Sequence, residues 1–330
     1  MADLDASTAR TYLAQKFSLP EHLVEVRELS GGVSNLVFRA SIGGRPDLIL
    51  KQSLAKLRVE QDWFCDRRRI FREMQALSLL GPLAPSGSLP IILFKDRENF
   101  LFAMSAAPPE SPTWKLDLLN GIAEPALARQ AAALHAVFFA AQSIGPLFAG
   151  LDLFDQLRLD PYYRATALRH PDLKPFFATA IEQSRTQLTA LTHGDWSPKN
   201  FLVNPGPQLL SIDYEVMHYG DPSFDTAFLL NHFLLKAWHR ARNRALYASL
   251  ALTYWNELVK LIPKGFEWLE ASTLRHLGCL HLARVDGKSP VEYLRPAEQA
   301  QVRRFARDLI QNPPRTIAEV FEVQAEAFHE

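Results

Sequence analysis

The sequence predicts a two-lobed α+β protein, on three observations. Five short β-like runs and a single helix with a clear apolar stripe crowd into residues 1–105. A Pro-rich stretch, "SAAPPESPTW", follows them. Beyond it, apolar residues recur mostly at helical spacing. With 330 residues the chain has room for about two domains, since a domain takes roughly 100–200 residues, and its 48% hydrophobic content supports packed cores.

The first element is a short helical segment, Ser7 to Phe17. Three β-like runs come next, "LVEVREL", "NLVFRAS" and "DLILKQS", broken by Gly/Ser/Asn and Gly-Gly-Arg-Pro turns, which reads as an antiparallel meander. From Phe64 to Leu80 the residues Ile70, Met74, Leu77 and Leu80 share a helix face, and Gly81-Pro82 stops the run. "LPIILF" and "NFLFAM" add two strands. A linker is expected at Ala106 to Thr113, dividing the chain into lobes 1–105 and 106–330. The second lobe is expected to hold helices at Pro125 to Ser143, Phe176 to Leu188, Ser223 to Trp238, Arg244 to Leu261, Ser272 to Arg284 and Glu298 to Gln311, with one β interruption. A small antiparallel lobe joined to a larger helical one places a ligand site at the junction.

Composition narrows the partners. Lys and Arg number 36 against 36 Asp and Glu, which gives no net field to hold a nucleic-acid backbone or an anionic membrane. The N-terminal "MADLDASTAR" is polar and acidic, and no run reaches the ~20 apolar residues of a membrane span. Cys65 and Cys279 make no disulfide framework, and the scattered histidines argue against a zinc site. The expectation is a soluble cytoplasmic protein, monomer or homodimer, with a small-molecule partner.

The chemistry concentrates at Leu191 to Val203, "LTHGDWSPKNFLV", a Gly/Pro-broken turn running into an apolar strand. His193, Asp195 and Asn200 form H-x-D-x-x-x-x-N within it. Downstream, "SIDYE" puts Asp213 at a strand end. Singly, Asp195 and Asn200 are residues that close Asx-turns. Together the set matches phosphoryl transfer: Asp195 accepts or orients the proton of an attacking hydroxyl, while Asn200 and Asp213 offer hard oxygens to Mg2+ on nucleotide phosphates. Lys51, closing "LILKQS", can hold those phosphates as a point charge, and Glu73 on the following helix can pair with it. An exposed strand lysine and a solvated glutamate are the plainer readings of each alone. "LSGGVSN" links the first two β-runs, where Gly31 and Gly32, with Ser34 beside them, let backbone N–H groups approach a phosphate. Arg67 to Arg69 read as an exposed helix face, and Trp114 and Trp196 as core or cleft-wall aromatics. "ARVDGKSPVEYL", Ala283 to Leu294, reads most simply as a solvated helix end, and alternatively offers Arg284, Asp286 or Lys288 to the substrate end of the cleft.

These residues together resemble the aminoglycoside phosphotransferase and choline-kinase superfamily, the small-molecule branch of the protein-kinase-like fold. The likeness runs through "LSGGVSNLVFRA", "LILKQS", "REMQAL", "THGDWSPKNFLV" and "IDYEVMHYGDPSFDTAFLLNH". It implies ATP and Mg2+ as cofactors, Asp195 as catalytic base, Asn200 and Asp213 as metal ligands, and Lys51 with Glu73 as the nucleotide-holding pair. Glycine at 194 is typical of this branch, where protein kinases have arginine. Tyr214-Glu215 after Asp213, with no Ala-Pro-Glu later, also separates the chain from protein kinases. Several segments are similar to methylthioribose kinase, among them "LKQSLAKLR" with Trp63 and "DRRR", "WKLDLLNG", and Asp213 with Glu215 as D-x-E, which makes Glu215 a substrate candidate. Asn200 departs from that enzyme. The acceptor expected is thus a hydroxylated small metabolite, a methylthioribose-like sugar or an amino alcohol. The alternatives are an aminoglycoside, or a catalytically silent nucleotide-binding regulator of the same fold.

Overall fold

The computed structural model describes residues 3–29, 34–56, 58 and 64–328. Gly31, Gly32 and Trp63 lie outside the described residues. The chain divides into two compact units, Met1–Ser111 with Ile212–Glu215, and Pro112–Ser211 with Val216–Glu330. Relative to the sequence division at 105/106, the first unit takes in most of the Pro-rich stretch, to Ser111, and a four-residue segment from far down the chain.

In the first unit, α1 (Ala6–Phe17) is started by a capping box between Asp5 and Thr8. The strands β1 (Val24–Glu28), β2 (Asn35–Ile42), β3 (Leu48–Ser53), β4 (Ile92–Asp96) and β5 (Leu101–Ser105) form one antiparallel sheet in the order β1-β2-β3-β5-β4. Side chains alternate across a strand, so each strand feeds two faces. One face supplies Leu36, Phe38, Ala40, Leu48, Leu50 and Ala103 to a core with Ala9 and Leu13 of α1. Lys51, next to Leu50, must therefore point the other way, toward α2 (Arg69–Leu80), whose Ile70, Glu73, Met74 and Leu77 are buried.

The second unit opens with α3 (Trp114–Leu119) and α4 (Pro125–Ala140). A continuous helical stretch follows: α5 (Asp152–Phe154), a π-helix (Asp155–Arg164) and α6 (Ala165–Arg169). Then come α7 (Lys174–Thr186), β6 (Ala190–Thr192), β7 (Phe201–Asn204), β8 (Gln208–Ser211) and β9 (His218–Gly220). β6 pairs with β9 and β7 with β8, both antiparallel. The remaining helices are α8 (Pro222–His239), α9 (Arg244–Leu261), α10 (Leu269–Asp286), α11 (Pro296–Gln311) and α12 (Ile317–Ala327). α8 packs against both α9 and α10, and every residue on it except His239 is buried. A helix surrounded in this way cannot solvate its polar groups, so its Asp225, His232 and Lys236 need partners inside the protein. Among the described residues, no single helix is long and apolar enough to cross a membrane.

Candidate active site

β3 and α2 build the first group of site residues. Lys51 Nζ lies 2.7 Å from Glu73 Oε2 and 2.7 Å from Asp213 Oδ1. The pairing expected from the sequence is thus formed, and both Lys51 and Glu73 are buried. Burial disfavours the ammonium, but Asp213, Glu73 and Glu215 outweigh it and keep Lys51 charged well above the usual lysine range. Asp213 takes a left-handed backbone, φ 71°, which a non-glycine residue adopts only where its surroundings hold it.

Glu215 supplies much of that holding. Its carboxylate accepts from Ser34 Oγ at 2.8 Å, Asn35 Nδ2 at 2.8 Å and Arg69 Nε at 3.2 Å. Glu215, a substrate candidate in the sequence, anchors 212–215 to the sheet-bearing unit, and Ser34, grouped in the sequence with the phosphate-approaching glycines, donates to it. The exposed-face reading of Arg67 to Arg69 fails at Arg69. That side chain is only 1% exposed and also donates to the Leu54 carbonyl, so the residue ties three segments together. Arg68 does remain exposed.

The second unit carries the loop between β6 and β7. Gly194 has φ 76°, and a Cβ placed on it would meet Val216 Cγ1 at 2.9 Å, so glycine is required there. The backbone amides of His193 and Gly194 both donate to the buried carboxylate of Asp225, in the first turn of α8. Asn200 Nδ2 donates to the Asp195 carbonyl at 2.9 Å, closing the loop from its far end. Trp196 packs edge-on against Phe201 and is fully buried, as is Trp114.

Asp195 is 2% exposed. Its Oδ2 lies 2.9 Å from Arg158 Nη2 and 2.9 Å from Lys199 Nζ. Its Oδ1 is buried and takes no hydrogen bond among the described residues. Burial pushes the carboxyl up, but Arg158 and Lys199 dominate and hold it well below the ordinary carboxylate range. The group is therefore an acceptor that favours its ionised form, with one oxygen clamped and the other left over.

Three of these contributors escaped the sequence reading. Lys199 carries a signal, the i,i+4 spacing from Asp195. Asp225 lies inside the quoted "YGDPSFDTAFLLN", but nothing local says that it accepts two loop amides. Arg158 comes from a π-helix containing Pro161, whose irregular repeat hides it from helical periodicity. Of the proposed substrate residues, Arg284 is half-buried, and its Nη1 donates to Tyr162 Oη at 3.0 Å and to Ser289 Oγ at 3.1 Å. Asp286 is taken up elsewhere, by Arg303 at 2.7 Å and 2.8 Å and His170 at 2.8 Å, and Lys288 pairs with Asp160 at 2.9 Å.

A sheet-bearing unit with a buried lysine, glutamate and aspartate, and a helical unit with a clamped aspartate on an H-x-D loop, define a small-molecule kinase fold. The chain belongs to the phosphotransferase enzyme family, whose model matches residues 25–261. Members of this family transfer phosphoryl groups to hydroxyls of small molecules. Among solved structures, the amicoumacin kinase hAmiN in complex with AMP-PNP, Ca2+ and Ami superposes with a TM-score of 0.57 at 17% identity, covering 96% of this chain and 98% of that one. An ethanolamine kinase from Plasmodium vivax gives 0.53 at 12% identity, covering 99% and 89%. The streptomycin–ATP ternary complex of APH(2")-IIa gives 0.50 at 15% identity, covering 99% of both chains. At such identities the likeness is one of fold. No curated protein matches the sequence. The methylthioribose-kinase likeness rests on the sequence segments alone.

Proposed function

We propose that this family member is an ATP- and Mg2+-dependent kinase whose acceptor is a hydroxyl group on a small metabolite. The observation that carries the reading is Asp195, with Oδ2 fixed between Arg158 and Lys199 and Oδ1 buried and unpartnered. An acceptor hydroxyl donating to Oδ1 satisfies that atom and turns its own oxygen lone pair toward an incoming phosphoryl group. The new bond joins the hydroxyl oxygen to the γ-phosphorus, and the bond from that phosphorus to the β,γ-bridging oxygen breaks. ADP leaves, and the hydroxyl proton is released to solvent late in the transfer. An aspartate this acidic orients the hydroxyl more than it deprotonates it, which suits a loose transition state that needs little base.

Lys51, oriented by Glu73, is suited to the nucleotide phosphates. Asp213 and Asn200 fit a magnesium ion by donor type: a carboxylate, and an amide whose NH2 is committed to the Asp195 carbonyl, which leaves its oxygen for the ligand. When bound, the metal would supply charge neutralisation on the phosphates. The nucleotide complexes of hAmiN and APH(2")-IIa support the cofactor reading. Competent residues at all five positions argue against a silent regulator. The cations around Asp195 argue against an aminoglycoside or an amino alcohol, whose ammonium groups they would repel. Steady-state turnover of Asp213→Ala tests the assignment: the folded variant loses activity, and normal turnover in it would refute the metal role.

A further inference from the structure

On α8 the second unit buries a positive charge that makes no ion pair among the described residues. Lys236 on α8 is 0% exposed, yet among the described residues its ammonium makes only one long hydrogen bond, 3.4 Å to the His232 carbonyl one turn back. Its Nζ stands 5.5 Å from the Tyr293 ring centroid. Burying an ammonium without a counterion costs several kcal/mol, so such a group is retained for a reason other than stability. Arg284 acts on Lys236 as well and makes no ion pair among the described residues, its Nη1 donating to Tyr162 Oη and to Ser289, while Glu292 pairs with Lys115. Burial, then Lys115 and Arg284, push Lys236 down to about 7.

The surrounding polar atoms are unsatisfied in the same sense. Arg284 Nε and Tyr293 Oη are buried donors without hydrogen-bond partners among the described residues. Natural interiors pair such atoms, so several orphan donors in one neighbourhood mark a place where an acceptor binds. The neighbourhood connects to Asp195 through the π-helix, where Tyr162 accepts from Arg284 and Arg158 clamps the Asp195 carboxylate. His232, one turn from Lys236, feels the charges of Lys236, Arg284, Asp195 and Lys199 together. Tyr162, hydrogen-bonded to Arg284, feels Arg158, Asp195 and Lys199.

We infer that the phosphoryl acceptor carries an anionic group, a carboxylate or a phosphate, which docks on Lys236 and Arg284 while its hydroxyl reaches Asp195. The inference rests on the kinase reading of Asp195 and names the substrate class for that same site. It turns the expectation away from amino alcohols and neutral thio-sugars and toward hydroxy acids. An anion here returns Lys236 to full charge and gives Arg284 Nε and Tyr293 Oη their missing acceptor.

The test is steady-state kinetics with ATP on matched acceptors: glycerate and glycerol 3-phosphate, neutral glycerol and methylthioribose, and cationic ethanolamine and kanamycin. Calorimetric binding of each acceptor and of an ATP analogue accompanies it. The wild-type protein is expected to bind and phosphorylate an anionic probe with kcat/KM at least about tenfold above the neutral ones, the worth of one charge-assisted hydrogen bond. Glycerate against glycerol 3-phosphate tells a carboxylate site from a phosphate site. Lys236→Met is expected to raise the KM of the anionic acceptor about tenfold or more while the ATP-analogue Kd holds, and Arg284→Gln to do the same. Absence of binding by either anionic probe, a preference for ethanolamine, kanamycin or a neutral probe, or an unchanged preference in both variants would overturn the inference. Failure of the wild-type protein to bind the ATP analogue would instead remove the kinase reading beneath it.

Discussion

At the scale of single residues, the contrast is between Asp195, whose charge is secured, and Lys236, whose charge is not. Asp195 is held ionised by Arg158 and Lys199, so kcat should show no acid limb from this group as pH falls toward about 5, where an ordinary carboxylate begins to take up its proton. A kcat–pH profile measured from pH 5 to 8 checks this. Lys236 has a depressed value, about 7 in the fold against 10.5 unfolded. Between these the unfolded chain binds more protons, so this residue makes stability rise with pH from about 7 to about 10.5. The groups acting on it are Lys115 and Arg284, with Glu292 opposing, the His232 carbonyl accepting from it and the Tyr293 ring alongside. Lys236→Met should therefore raise the melting temperature at pH 7, and its advantage should shrink by pH 10. Thermal unfolding of both proteins at several pH values reads that difference. Asp195, Asn200 and Lys51 were legible in the sequence because each sits in a short local pattern. Lys236 and Arg158 were not, because a buried cation on a helix looks in sequence like a solvated one.

The elements explain why that local pattern adopts a defined geometry. α8 was legible from "DPSFDTAFLLNH", whose Asp221 caps it by accepting from the Ser223 amide and whose Pro222 fits the first turn. Its burial on all sides as far as Trp238 was not legible, since periodicity finds a helix but does not show what surrounds it. The consequence is that Asp225 can serve the loop as a fixed acceptor. Asp225→Ala would leave the His193 and Gly194 amides buried and unpaired, at about 1–3 kcal/mol each. We expect a lower melting temperature, and a fall in kcat larger than any change in the acceptor KM, because the loop that aims Asp195 is released. Kinetics and thermal unfolding on the one variant separate the two effects. Gly194→Ala should act in the same direction through the Val216 contact and the left-handed backbone. The strands of the first sheet and most of the long helices read correctly in sequence, whereas α12 and the π-helix did not. The first is short and close to the end of the chain, and the second lacks the 3.6-residue repeat on which such reading depends.

At the scale of the whole chain, the first unit ends at Ser111, inside the Pro-rich stretch, whereas the return of 212–215 to that unit has no local signal in the sequence. That return depends on a buried ion pair between Arg69 and Glu215, residues distant in sequence. Breaking it with Glu215→Ala should destabilise the protein by about 3–5 kcal/mol, because Arg69 keeps its charge and loses its partner. Denaturant unfolding gives that number. Lys51→Ala should weaken ATP binding and Glu73→Ala should do so less. Their effects should not add if the pair acts as a unit, which a double-mutant cycle on nucleotide affinity measures. The central claim is that this phosphotransferase-family chain moves the γ-phosphate of ATP to a hydroxyl held by Asp195. The most direct measurement follows label from γ-labelled ATP into small molecules, with wild type and Asp195→Asn side by side on the anionic, neutral and cationic acceptors. The account predicts labelled acceptor with the wild-type protein and a rate lower by at least about 10²-fold with the folded variant, the lower end for loss of a positioned acid–base group. Label transfer at the wild-type rate by Asp195→Asn would contradict it.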